Sequence, residues 1–172
     1  MATPPTYQSN PLASLPHATD ALRHALGSNL IALLQPHELS ELLANSSLLN
    51  LPPQSVLFRE GEHQPNLFIV ESGLVQLTIH IPGRTDIPIL SVGPSELLAW
   101  SALLGQQTMT CSAITSQPTA LILLPTHALS KITEQNPTFT AAFFHWLAQS
   151  LAHRLTATRL QLLDLFSNRT HP

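Results

Sequence analysis

The residues able to do chemistry are few and scattered along this 172-residue chain. Nine histidines are present, but they lack the close pairs on one helix face from which histidine metal sites are built. His145 and His153 are eight positions apart, two turns distant on one helix. The single cysteine, Cys111, sits in an apolar stretch and reads as a small core side chain, not a nucleophile with a base beside it. Glu60 and Glu62 flank Gly61 in a turn between strands and do not form an acid pair across a cleft. No metal site and no catalytic constellation is expected, so the chain reads as a non-enzyme.

Composition narrows the class further. Charged residues make up only 10% of the chain, and the net charge is −3 with seven Lys+Arg. A nucleic-acid surface needs a clustered basic footprint, which this chain does not carry. One cysteine excludes an intramolecular disulfide, the N-terminus has no signal-peptide pattern, and no apolar run reaches the ~20 residues of a membrane span. A cytoplasmic protein with no membrane contact is expected.

The elements that would position any site follow from periodicity. Residues 1–16 carry prolines at positions 4, 5, 11 and 16 and read as a flexible arm. N-terminal helices are expected over 17–50: one spans 18–34, weakened or split at Gly27, and a short one opens at Pro36. A β-roll is expected over 51–125, with short strands near 55–58, 67–72, 74–81, 86–92, 109–115 and 120–124. C-terminal helices occupy 126–172: one spans 126–135, and a long one follows the Asn136-Pro137 break over 138–166. The fold class is thus mainly β, an antiparallel jelly-roll-like β-roll with flanking helices, as one domain. In the last helix Phe144, Ala148, Leu151, Leu155, Thr158, Leu162 and Leu165 alternate at spacings of 4 and 3, the pattern of a coiled-coil seam. A helix of about 28 residues is ~42 Å long, more than a small roll covers. A homodimer through this helix is expected; the alternative is a helix packed only on its own roll.

Two stretches carry a family resemblance: Val56-Leu57-Phe58-Arg59-Glu60-Gly61-Glu62 and Leu67-Phe68-Ile69-Val70-Glu71-Ser72-Gly73-Leu74-Val75. In order and at this spacing they resemble the cyclic-nucleotide-binding domain of the catabolite activator (Crp/Fnr-like) family, over about residues 33–165. The resemblance implies a phosphate-binding cassette over 93–113. There a Gly-Glu pair opens a short helix, backbone N–H groups receive the phosphate, and an Arg neutralises it. This chain has Ala99-Trp100 in place of Gly-Glu, and the Arg position falls at or near Gln107, beside Thr108. No Lys or Arg occurs from 87 to 130. One lost charge-assisted bond costs ~1.5–3 kcal/mol, roughly ten- to a hundredfold in affinity.

Trp100-Ser101-Ala102-Leu103 resembles a subgroup cassette in which the tryptophan either lids a flat ligand or plugs the pocket. The resemblance also places Thr158 and Arg159 on the far wall, where Arg159 either meets an anionic ligand or faces solvent. No cofactor is indicated by the residues themselves; the candidate ligand is nucleotide-like or a small anion.

Family transcription factors continue into a helix-turn-helix domain of ~70 residues, for which this chain leaves no room after the long helix. Direct DNA binding is therefore not expected, and the signal would pass to a separate protein partner. Two functions follow: a ligand-responsive sensor, or a pseudo-sensor with a filled pocket that acts as a dimeric scaffold. A third, minor option is a reduced regulator whose role is only to dimerise.

Overall fold

The computed structural model of the chain describes residues 9–83, 85–104 and 108–167, with residues 161–167 described by backbone alone. Nine strands form two antiparallel sheets, flanked by helices at both ends of the chain. β1 (Ser9–Pro11) leads through a 3-10 turn into α1 (Ala18–Leu26), α2 (Ser28–Ile31) and α3 (Pro36–Asn45). The roll is β2 (Ser47–Leu51), β3 (Val56–Phe58), β4 (Asn66–Ser72), β5 (Val75–Ile79), β6 (Ile87–Val92), β7 (Leu97–Leu98), β8 (Ser112–Thr115) and β9 (Thr119–Pro125). α4 (Thr126–Gln135) and α5 (Pro137–Ser167) follow. One sheet runs β1-β2-β9-β4-β7 and the other β3-β8-β5-β6.

The central strands of the first sheet, β4 and β9, are buried on both faces, which explains why β4 reads as a continuous apolar run. Successive side chains on a strand point to opposite faces. Phe68 and Val70 therefore enter the core between the sheets, while Leu67 and Ile69 pack under the helices. β9 does the same, with Leu121 inward and Ile122 and Leu124 toward the helices. Two cores thus share one wall.

Expected and observed elements differ at the N-terminal side. Ser9–Pro11 pairs with β2, Ser9 opposite Leu49 and Pro11 opposite Ser47, and Leu12 behind it is fully buried. The expected flexible arm therefore does not extend to residue 16. The expected helical stretch to residue 50 also ends early, because Ser47–Leu51 is a strand paired along its length with β9. Leu49 and Leu51 face the roll interior, and that burial makes the segment a strand. The helix over 18–34 divides at Gly27, and Pro36 opens α3 from its first position.

α5 begins at a polar knot. Asn136 ends α4 through its N–H to Ile132 O and caps α5 by accepting the Phe139 N–H on its Oδ1 at 3.0 Å. Its Nδ2 donates to Leu33 O at 3.0 Å and to Glu38 Oε2 at 2.9 Å. Glu38 is 5% exposed, and the same carboxylate oxygen accepts the Gln35 N–H at 2.7 Å. From there Phe139, Phe143 and Leu147 enter the helix-side core, the two phenylalanine rings stacking at 5.6 Å.

Gly73, between β4 and β5, has φ +96°, and a Cβ there would lie 2.5 Å from Pro118 O and 2.6 Å from Thr119 Cα. Both the left-handed backbone and the close approach of a second strand forbid a side chain. Gly73→Ala should lower stability by about 3 kcal/mol or more, read as the loss in chemical-denaturation midpoint. Gly61→Ala has a positive φ but open space around the added carbon, and should cost markedly less.

Candidate functional site

The cassette residues hang from β7, the short strand that pairs with β4 through Phe68–Leu98 and Ile69–Leu97. After it the chain turns sharply at Ala99, with φ 59° and ψ 32° in the left-handed region. A left-handed residue with a Cβ costs roughly 1–2 kcal/mol, which a glycine avoids. The turn opens a 3-10 helix, Trp100–Leu103, closed by the Ala102 N–H to Ala99 O at 3.0 Å. Ala99 and Ala102 are buried, Trp100 and Ser101 half-buried.

The cleft between this cassette, the roll interior and α5 is nearly full. Phe58, Leu77 and Leu98 line it from the strands of the roll. Ala99, Trp100 and Ser101 line it from the cassette, and Met109, Thr110 and Cys111 from the segment that leads into β8. Arg154, from α5, closes it. The space left is about 30 Å³, against the 300–1,000 Å³ typical of small-molecule pockets. Trp100 also packs against the helix-side core, so its ring bridges the cavity and the wall beneath α5.

Arg154 is the residue that sequence reasoning missed. Its Nη2 donates to the carbonyl of Leu97 in β7. The cassette stretch carries no cation of its own, so this helix side chain supplies the positive charge of the cleft. Burial pulls the guanidinium below its ordinary pKa, opposed by the charges of Glu96 and then Cys111. Burial pushes the Cys111 thiol up; the Arg154 cation draws it partly back, and Glu60 adds a small upward push. A signal was available. Arg154 falls on the stripe Phe139, Phe143, Leu147, Leu151, where the only cation of an inward-facing apolar row must find an acceptor.

The other expected site residues separate. Thr158 is half-buried and returns its hydroxyl to Arg154 O at 2.9 Å, so it braces the helix and does not line the cavity. Arg159 is exposed and also stands outside the lining. Thr108 forms an isolated antiparallel bridge with His63, away from the cavity lining. Gln107 lies outside the described residues. Of the expected seam, Phe144, Ala148 and Leu155 are exposed, and Leu151 and Thr158 half-buried; the side chains of Leu162 and Leu165 lie outside the described residues. Among the described residues no group of three or more His, Cys, Asp or Glu is placed to hold a metal, and no helix is long and apolar enough to cross a membrane.

A double-sheeted roll with a short cassette helix beneath a long C-terminal helix defines a class of domain. Residues 48–136 match the family model described as the cyclic nucleotide-binding domain. The chain belongs to that family. No curated protein matches it. Among solved structures it is similar to a cyclic nucleotide-binding domain from Methylobacillus flagellatus, at 17% identity over 90% of this chain and 94% of that one, TM-score 0.70. It is similar to the sensor domain of the transcriptional regulator DNR from Pseudomonas aeruginosa, at 22% identity over 81% and 95%, TM-score 0.66. It is also similar to the catabolite activator protein of Thermus thermophilus, at 28% identity over 80% of this chain but 62% of that one, TM-score 0.58.

The raised thiol predicts sluggish chemistry at Cys111. At pH 8 its reaction with a disulfide reagent should be slower than that of a free small thiol, since the thiolate is the reacting form. A rate equal to the free thiol's would show that the side chain is neither buried nor shifted.

Proposed function

We propose that this chain is a non-enzymatic regulatory domain whose cleft is closed to cyclic nucleotides, and which works as a homodimer relaying the position of α5 to a protein partner. One observation carries the reading: Trp100, Met109 and Arg154 leave only about 30 Å³ where the family holds its ligand. A cyclic nucleotide needs roughly ten times that space. The cassette has Ala99-Trp100 where ligand-binding members have Gly-Glu, so no carboxylate is offered to a ribose at that position. The pseudo-sensor reading is thereby favoured over the nucleotide sensor.

The exposed row on α5 supports the dimer. Phe144 is 42% and Leu155 54% exposed, with Ala148 exposed between them, a stripe facing away from the chain's own core. A self-complementary apolar stripe on a 31-residue helix is the usual ground for a two-fold pair. With seven Lys+Arg in the whole chain, the charge favours a protein partner over DNA.

Two experiments test this. Calorimetry against cAMP, cGMP and cyclic dinucleotides at millimolar concentration should give no binding heat; micromolar binding of any of them would end the closed-cleft reading. Leu155→Glu should convert a dimer to monomers by light scattering. A wild-type monomer would end the dimer.

A further inference from the structure

We infer that the cleft is a site for a small anion of two or three heavy atoms, held by Arg154 from the long helix and the Ser101 hydroxyl from the cassette. The inference rests on the closed-cleft reading above and adds what the remaining space is for. Three observations converge. First, Arg154 is a half-buried cation with no carboxylate within ion-pair distance among the described residues. Its one acceptor among the described residues is Leu97 O. A guanidinium has five N–H donors, and a buried charge without a counter-ion is costly. Glu96, the nearest acid by its electrostatic effect, spends a carboxylate oxygen on the Gly93 N–H at 2.6 Å.

Second, the Ser101 hydroxyl lines the same cavity with no better acceptor among the described residues than the Met109 thioether at 3.8 Å. A thioether is a weak acceptor, and an anion's oxygen would replace it with a charge-assisted bond. Third, the free space, about 30 Å³, is that of about two waters, each needing ~10–15 Å³ in this measure. It admits nitrite or formate and excludes a sugar or a base. Protonated at neutral pH, Arg154 would be neutralised in place. Binding would tie α5 more firmly to β7, because the anion bridges helix and cassette.

The test is thermal unfolding of the full chain with sodium nitrite or sodium formate, ionic strength held constant with sodium gluconate, whose anion is too large for the cavity. The expected result is a saturable rise in Tm in the wild type, absent in Arg154→Gln and at least about tenfold weaker in Arg154→Lys, which keeps the charge but loses the planar fork. Ser101→Ala, which leaves the buried charge in place, should weaken the response severalfold and keeps the test available if the Arg154 variants unfold. No saturable rise in the wild type, or an equal rise in all variants, overturns the inference. A parallel titration with cAMP judges the closed cleft separately: a nucleotide response would overturn that reading, and the small-ligand limit with it, whereas silence from both ligands would sink the anion site alone.

Discussion

The cleft depends on where α5 leaves the domain, and that is set by the amide of Asn136. One side chain ends α4, caps α5 and reaches Leu33 O and Glu38 Oε2. Glu38 is buried but shared between this amide and the Gln35 N–H, so the polar cost is met by partners on both sides. The direction of a helix is fixed at its first turn when that turn is bracketed in this way. Eighteen residues on, about 27 Å along the axis, Arg154 arrives beside β7. A rotation of about 10° at Asn136 would therefore move the guanidinium by about 5 Å, comparable to the width of the cavity.

Most of the roll was legible because its strands are short, apolar and separated by turn residues. What escaped was pairing that local pattern does not encode. Ser9–Pro11 has no periodicity of its own and is a strand only because β2 offers it an edge. β2 shows three leucines in five residues, a run that suits a strand buried on both faces as well as the tail of a helix; β9 decides between them. Leu97–Leu98 is too short to have a period at all. The cassette's departures were legible residue by residue, but not that its pocket is filled, since that depends on Trp100, Met109 and a side chain 54 positions beyond Trp100 converging.

α5 shows the limit most clearly. Two stripes run along it, one through Phe139, Phe143 and Leu147 and the other through Phe144, Ala148 and Leu155, and each can be continued through Leu151. Periodicity finds both and cannot rank them. The sheets do: the first stripe meets Leu67, Ile69 and Leu97, and so Arg154, not Arg159, is drawn inward. In members with an open pocket, ligand and protein share the work of filling the space. On the proposed closed-cleft reading, side chains of the domain take that place, which weakens the thermodynamic link between its packing and occupancy by a large ligand.

The sheet edges decide what kind of assembly the molecule permits. β1 is three residues long and ends in Pro11, β7 is two residues, β3 is three, and β6 carries Pro88. Each edge is too short, or interrupted by a residue without an N–H, to template a neighbouring chain. Strand-to-strand growth into fibrils is thereby blunted on all four sides, despite an apolar content of 44%. In the proposed homodimer the contact is made by side chains on a helix, where a two-fold pair closes on itself and does not propagate.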